Sequence, residues 1–176
     1  MNMLTERGML DHLHDRYQFV RPGTTTRRWI VAEHVRAACG YDVRTADFVA
    51  QDTWEAQGLP LHGHEVKVSR ADWLKELSDP DKAAAIKRYC DRWWLVVPDK
   101  RIVHPDELPP DWGLMALDRN GRLRAVRAAP ALIPEPIPAT FRATLMRATA
   151  KTAAARARAE SATPQQPLHA TGSKST

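Results

Sequence analysis

The chain has few of the residues that define several common classes of protein. It contains two cysteines, Cys39 and Cys90, in 176 residues. Two cysteines so far apart predict neither a disulfide framework nor a zinc site, and we therefore expect a reducing, cytoplasmic location. No apolar run approaches the roughly 20 residues of a membrane span, and the N-terminus has no apolar signal-peptide region, so we expect no membrane partner. A glycine-rich phosphate loop is also missing, which argues against ATP as a substrate.

The residues that are present indicate a globular protein with an unevenly distributed charge. Apolar residues make up 43% and charged residues 27% of the chain, as in an ordinary folded domain. The net charge is +5, and residues 131–176 hold six basic and two acidic residues of this total. The basicity therefore belongs mostly to the C-terminal part. A basic tail raises the affinity for nucleic acid, and it is also a common way to keep a protein in solution.

Apolar spacing and capping residues predict three helical segments in the first 90 residues. The first covers residues 3–16, and the second runs from about Thr26 to Ala38, where Gly40 ends it. Residues 70–90 predict a helix that is interrupted at Ser78-Asp79-Pro80, because proline fits the first turn of a new helix.

Period-two and continuous apolar patterns predict the strands. They lie at residues 44–50, 61–69, 93–97 and 102–103, and Asn120-Gly121 predicts a hairpin that joins residues 114–117 to 123–126. The expected fold is α/β, with a central mixed sheet flanked by helices.

The style of the sequence changes near residue 128. We expect a folded unit over residues 1–128 and a proline-rich linker over 129–138. Residues 139–160 are rich in Ala and Arg and predict a basic helix, and the polar residues 161–176 predict a disordered tail.

The strongest candidate site lies on the predicted strand around Glu65. Strand side chains alternate between faces, so Glu65 and Lys67 point to one side and Val66 and Val68 to the other. Two charges on one face of an apolar strand are costly to bury unless they are paired or bind a metal. Asp47 lies in a similar apolar segment. Two carboxylates and a lysine, brought together, could hold a hard divalent cation and orient a water for phosphodiester hydrolysis.

The order of these groups resembles the PD-(D/E)XK nuclease superfamily, and most closely its MmcB-like DNA-repair branch. The matching segments are Arg44-Thr45-Ala46-Asp47, Glu65-Val66-Lys67-Val68-Ser69, Ala71-Asp72-Trp73, and Lys82 followed by Tyr89-Cys90-Asp91-Arg92 and an aromatic-apolar strand that ends at Pro98. The resemblance covers roughly residues 28–117. It departs from the pattern by an insertion around residues 77–81 and by Ala46, which replaces the superfamily's proline. The composition of the tail is similar to that of proteins from actinobacteria and their phages.

The resemblance implies a restriction-endonuclease-like core and a role for each group in the motif. Asp47 and Glu65 would be carboxylate ligands of Mg²⁺ or Mn²⁺, and the Val66 carbonyl would be a third ligand. Lys67 would orient the attacking water or offset charge on the phosphoryl oxygens. Many members also carry a metal-binding glutamate on the helix before the first acid. Glu33, on the predicted second helix, would take that role, or it forms a plain ion pair with Arg36.

The resemblance also implies a DNA substrate, and some members act as dimers. The DNA contacts would come from Arg28, Arg44, Arg70, Lys82 and Tyr89, together with the basic tail. Lys82 and Tyr89 are seven residues apart and would share a helix face near the site, although Tyr89 fits a core position equally well.

Two other sets of residues, histidines and tryptophans, are expected to have mainly structural roles. His62 and His64 fall on the face opposite Glu65 and lack partner ligands, so we expect them at the partly exposed start of the strand. Of six tryptophans, Trp54 and Trp112 lie near turns and are the two expected outside the core.

Three functions fit the sequence. The first is a metal-dependent deoxyribonuclease in repair, recombination or phage DNA processing. The second is a non-catalytic DNA-binding or adaptor protein on the same fold, and the third is a small restriction-type endonuclease. Metal-dependent turnover separates the nucleases from the binder, and discrete fragments from plasmid DNA would identify the restriction type.

Overall fold

The fold is taken from a computed structural model of the chain, which describes residues 4–20, 22–39, 42–79 and 81–162. Four helices and six strands form its regular structure. The helices are α1 (Glu6–Tyr17), α2 (Arg70–Leu77), α3 (Asp81–Lys87) and α4 (Ala139–Ala162). The strands are β1 (Trp29–Cys39), β2 (Asp42–Asp52), β3 (Leu61–Val66), β4 (Arg92–Val97), β5 (Gly113–Leu117) and β6 (Leu123–Arg127).

The six strands form one mixed sheet in which the spatial order follows the chain, β1 to β6. Strands β1, β2 and β3 form an antiparallel meander. β4 and β5 then run parallel to β3, and β6 returns antiparallel to β5. The helical segments α2 and α3 connect the parallel strands β3 and β4, as a parallel crossover requires. The predicted α/β class with a central mixed sheet is confirmed.

Apolar clusters cover both faces of the sheet. The cluster on one face, here called the α1 face, contains Met9, Leu10 and Leu13 from α1 together with Phe48 and Val96 from the sheet. The cluster on the opposite face, the α2–α4 face, contains the α2, α3 and α4 residues Trp73, Ile86 and Phe141, packed on strand residues such as Leu95. β4 is buried almost throughout, because it contributes to both clusters.

Residues 29–39 form strand β1, so the predicted helix from Thr26 to Ala38 is wrong. Its apolar residues do recur at helical spacing, but they include the β-branched Ile30, Val31 and Val35. The segment pairs with β2 along nearly its whole length, from Trp29 opposite Asp52 to Cys39 opposite Asp42. Tertiary pairing has overridden a local helical pattern.

Most of the other predicted elements are confirmed. The helix after β3 is interrupted as expected, and Gly121 adopts a left-handed φ of 70° in the turn between β5 and β6. The predicted strand at 102–103 is wrong, because residues Lys100–Ile102 form a short 3-10 helix. The predictions for Gly40 as a cap, for Pro80, and for most of the tail (163–176) lie outside the described residues, and the helix extends through Ala162.

The basic helix α4 packs on the sheet edge at β1. Phe141 is buried and stacks on Tyr89, with ring centroids 4.9 Å apart. Further along, the Thr152 hydroxyl accepts a hydrogen bond of 2.9 Å from the Glu33 amide, and Arg156 binds Asp11 of α1 at 2.5 Å. The helix therefore covers the first strand and contacts α1. None of the helices in the described ranges is both long and apolar enough to cross a membrane.

Candidate metal and lysine site

The site begins with a distortion shared by β1 and β2. The pairs on either side of it show that His34 lies opposite Asp47. His34 has a left-handed φ of 50°, which is uncommon for a residue with a side chain. The alternation of side chains between the two faces breaks at both residues. Ala32 and Val35 of β1 are buried on the same α2–α4 face although they are three residues apart, and so are Ala46 and Val49 of β2. The distortion takes His34 and Asp47 out of the regular two-faced pattern.

Asp47 lies where β2 and β3 separate. The two strands pair as far as Phe48 and His64, and beyond that pair the Val66 amide donates a 2.7 Å hydrogen bond to the Asp47 carboxylate. A side chain thus satisfies an amide that the neighbouring strand no longer reaches. This bond holds Asp47 at the carboxyl end of β3, next to the predicted Glu65–Lys67 pair.

The structure brings Asp47 together with Glu6 and His34 rather than with Glu33. One potential ligand atom of each residue, a carboxylate oxygen or an imidazole nitrogen, lies within 4.8 Å of those of the other two. Glu6 and His34 are exposed, and Asp47 is half-buried. We call these three residues the metal group. It is the set of ligand side chains in the described residues that could hold an ion.

A ladder of charges lies beside the metal group on the α2–α4 face. Lys67 Nζ binds Glu65 Oε1 at 2.6 Å and Glu76 Oε2, from α2, at 3.0 Å. Lys82, from α3, binds the same Glu76 oxygen at 2.8 Å and lies 3.6 Å from Glu65. We call these four residues the lysine–glutamate ladder. The predicted sharing of one face by Glu65 and Lys67 is confirmed, and Val66 lies in the cluster of the opposite face.

Burial and charge imbalance set the protonation of this region. Burial, reinforced by Asp47, raises the pKa of Glu65 to about 8, although Lys67 opposes the shift. Burial also raises the pKa of Asp47, with the Val66 amide and Lys67 acting against it. For Glu76, burial is outweighed by Lys82 and Lys67, so its pKa falls below the ordinary value. One carboxyl among these groups therefore holds a proton near neutral pH.

Lys67 keeps its charge in this environment. Burial alone would lower the pKa of its amine, but Glu65 and Glu76 outweigh burial and raise it. Its side chain is 13% exposed, which leaves the amine at the edge of solvent. The structure thus holds a fixed positive charge one residue beyond the Val66 amide that binds Asp47.

The two groups border a common cleft. It has a volume of about 460 Å³ and lies between the start of α1, the end of β3, and helices α2 and α3. Its lining includes Glu6, Lys67, Lys75, Glu76 and Lys82. A ligand in this cleft would meet the side chains of three lysines and of four acids, Glu6, Asp72, Glu76 and Asp79, so an anion there would need a cation bound beside it.

Glu33 is on a strand, and its carboxylate is occupied. Arg7 binds both of its oxygens at 2.7 Å, and His14 Nε2 lies 2.6 Å from Oε1. Burial would raise the pKa of Glu33, but the bonds from His14 and Arg7 outweigh it and lower the pKa strongly. The alternative ion pair with Arg36 is replaced by these two contacts. Glu33 joins α1 to β1, and Glu6 is the helix glutamate that reaches Asp47.

The arginines predicted to contact DNA form ion pairs within the protein. Arg28 binds the buried carboxylate of Asp52 at 2.5 Å and stacks on Trp54, 4.6 Å from the ring centroid. Arg70 forms a two-pronged ion pair with Glu107, and Arg44 lies 3.4 Å from Asp79. These pairs fix loops and helices around the sheet.

Lys82 and Tyr89 do not lie together. Lys82 lines the cleft at the start of α3, whereas Tyr89 follows the end of that helix and packs in the core of the α2–α4 face against Phe141. The helix face that the sequence predicted ends before it reaches Tyr89, because α3 stops at Lys87. The core alternative for Tyr89 is the one that the structure shows.

His62 is partly exposed as predicted, whereas His64 is more buried than predicted. His64 is fully buried. Its Nε2 forms a 2.8 Å hydrogen bond with the Tyr17 hydroxyl, and its Nδ1 lies 3.2 Å from the Phe48 carbonyl oxygen. Burial lowers the pKa of His62 to about 4, so it is neutral at physiological pH. Trp112 is also buried, contrary to expectation, and packs between Trp73 and Trp93.

Three residues of the site were missed by reasoning from the sequence. Glu6 and His34 carry no local signal, because their meeting with Asp47 depends on α1 crossing the distorted β1–β2 pair. Glu76 offered a weak signal: a helix that packs its Trp73 into the core also buries the residue three positions on. Assigning residues 29–39 to a helix hid the position of His34 opposite Asp47.

Comparison with known proteins adds a fold but no activity. No protein-family model matches the chain, and no curated protein matches it significantly in sequence. A solved structure of a protein of unknown function from Silicibacter pomeroyi is similar, with 25% sequence identity and a TM-score of 0.51. The match covers 81% of this chain and 86% of that one. The similarity extends over most of both chains and supports the α/β fold described above.

Proposed function

We propose that this protein is a metal-dependent deoxyribonuclease with a restriction-endonuclease-like core. The observation that carries the proposal is the junction at the end of β3. There the Asp47 carboxylate, part of a group that could hold a metal ion, binds the Val66 amide at 2.7 Å, and the charged amine of Lys67 follows on the next residue. A metal group beside a fixed cation in an open cleft is the arrangement that phosphodiester hydrolysis needs.

The order of the elements supports the core assignment. The resemblance to PD-(D/E)XK nucleases implies an acid and a Glu-x-Lys pair on consecutive strands, followed by a helix and a core strand. Asp47 is on β2, Glu65 is at the end of β3 with Lys67 just beyond it, and α2, α3 and the buried β4 follow. Glu6 on α1 supplies the helix glutamate that the resemblance places before the first acid.

The donor set fits a divalent cation. Carboxylate oxygens are preferred by Mg²⁺ and Mn²⁺, and two of them, from Glu6 and Asp47, lie within 4.8 Å of each other. Such an ion would supply an activated water and would stabilise charge on the phosphoryl oxygens. Burial raises the pKa of Asp47, although the Val66 amide and Lys67 oppose the shift, so a proton and the ion would compete for this carboxyl.

The chain's own residues would position the phosphate. Lys67 presents a protonated amine at the cleft, where it would donate to a phosphoryl oxygen as negative charge develops. Lys82 is 38% exposed and Lys75 is also exposed on the cleft wall, so both can reach a phosphodiester backbone. In this proposal the cleft lysines bind the DNA rather than Arg28, Arg44 and Arg70, because those arginines do not line the cleft.

Cleavage assays test the proposal directly. Labelled single-stranded, duplex, flap and four-way DNA would be incubated with Mg²⁺, Mn²⁺ or EDTA. Wild type would be compared with Lys67→Ala and Asp47→Asn. The matched controls are Lys100→Ala and Asp106→Asn, which make the same chemical changes at exposed positions outside the cleft.

Cleavage that requires metal, that both site variants lose by at least about 100-fold, and that the controls keep would support the nuclease. DNA binding without cleavage on any substrate, unchanged in Lys67→Ala, would refute it and would favour a non-catalytic DNA-binding or adaptor protein. Discrete fragments from plasmid DNA would identify a restriction-type enzyme.

A further inference from the structure

The metal group contains a nitrogen ligand, and this has a consequence for which ion it selects. A ring nitrogen of His34 lies within 4.8 Å of one carboxylate oxygen of Glu6 and one of Asp47. Mg²⁺ is a hard cation that binds oxygen and keeps several waters. Imidazole nitrogen suits divalent transition-metal ions instead.

We propose that the metal group, Glu6, His34 and Asp47, is a transition-metal site that prefers Mn²⁺ to Mg²⁺, with His34 as the ligand that confers the preference. Two carboxylates and one imidazole provide a mixed oxygen and nitrogen set, which Mn²⁺ accepts and Mg²⁺ does not favour.

The fold places His34 where a ligand is needed. The shared distortion of β1 and β2 turns the His34 side chain away from both core faces. The side chain is exposed and is therefore free of core packing. The other ligands come from different elements, Glu6 from the first turn of α1 and Asp47 from β2. An ion would therefore cross-link the helix to both strands.

The proposed hydrolysis would use this same ion, so the role of the Mn²⁺ preference rests on the proposed function. Detection of the preference is independent of that function. Mn²⁺ binding can be measured without any DNA. Free Mn²⁺ would be titrated by electron paramagnetic resonance with the full chain, and Mg²⁺ affinity would be obtained by competition. Pulsed measurements on the bound Mn²⁺ would report coupling to a directly bound ¹⁴N nucleus.

His34→Asn is the informative variant. Asparagine tolerates the left-handed backbone of this position and replaces the ring nitrogen by an amide oxygen. The matched control is His12→Asn, the same substitution at an α1 histidine outside the metal group.

We expect one bound Mn²⁺ per chain, nitrogen coupling in wild type and in His12→Asn, and loss of that coupling in His34→Asn. The preference for Mn²⁺ over Mg²⁺ should fall by ~10-fold in His34→Asn. Absence of nitrogen coupling in wild type, or an unchanged preference in the folded variant, would overturn the proposal. If His34→Asn fails to fold, the wild-type coupling alone decides the question.

Cleavage assays on the same samples separate the two proposals. Nitrogen-coupled Mn²⁺ without DNA cleavage would remove the nuclease and leave the transition-metal site. Metal-dependent cleavage without nitrogen coupling would leave the nuclease and remove His34 from the ligand set.

Discussion

Glu65 should make the stability of this protein depend on pH in an unusual direction. Its side chain is 4% exposed, and it lies beside the carboxylates of Asp47 and Glu76 and the amines of Lys67 and Lys82. Burial and Asp47 together raise its pKa from 4.5 to about 8. Folding therefore stabilises the protonated form of this group.

The sign follows from proton binding. Between pH 4.5 and about 8 the folded chain holds a proton on Glu65 that the unfolded chain has released. The contribution of Glu65 to the free energy of unfolding is thus fully present below pH 4.5 and falls as the pH rises towards 8. One pKa unit corresponds to about 1.4 kcal/mol, so the loss over this window of about 3.5 pH units is on the order of 5 kcal/mol.

Chemical denaturation at pH steps from 5 to 8.5, without divalent metal, measures this effect. Glu65→Gln carries the uncharged form of the side chain at every pH, so its unfolding free energy should decline less steeply than that of wild type, by up to about 1.4 kcal/mol per pH unit. Glu55→Gln, at an exposed position with the same chemical change, should follow wild type. Parallel curves for wild type and Glu65→Gln would show that Glu65 ionises normally, and the account of the site's electrostatics would fail.

Three further predictions concern the metal, the lysine–glutamate ladder and the sheet. Mn²⁺ should raise the thermal midpoint in calorimetry, because it would bind the folded chain through Glu6, His34 and Asp47; at 100 times the dissociation constant the gain in unfolding free energy is about 2.7 kcal/mol. A midpoint that Mn²⁺ leaves unchanged would contradict this. Glu76→Gln should destabilise the fold by about 3 kcal/mol in urea titrations and slow DNA cleavage, because it removes a buried charge that binds Lys67 at 3.0 Å. A change below about 0.5 kcal/mol would show that the carboxylate is dispensable. Gly63→Ala should cost about 1–3 kcal/mol in the same titration, because the added carbon would lie 2.3 Å from the Trp93 ring, and a neutral result would mean that the ring moves freely.

The sequence could predict those parts of the structure that depend on local pattern. Period-two alternation placed Glu65 and Lys67 on one face, and Asn120-Gly121 marked the hairpin because that dipeptide suits its turn. The continuous apolar run at 93–97 identified a strand buried on both faces. These features are properties of a few adjacent residues, so neighbouring residues suffice to reveal them.

The same reasoning failed where distant segments compete for a residue. Residues 29–39 have apolar spacing that fits a helix, but ten pairings with β2 make them a strand. Arg28 and Arg70 were predicted to contact DNA, and no local pattern indicated their ion pairs with Asp52 and Glu107. A sequence shows that a charge exists but not which partner the fold brings to it.

The sequence by itself determined the chemistry of the candidate site: an acid at position 47, and a Glu-x-Lys pair on a buried strand that no ordinary core would carry unpaired. The tertiary structure alone decided which side chains surround Asp47. Glu6 and His34 reach it because α1 packs across a distortion that β1 and β2 share, and Glu76 joins Lys67 because α2 folds back over the sheet. The arrangement of the possible ligands depends on segments that are far apart in the chain, and only packing of the sheet and helices brings them together.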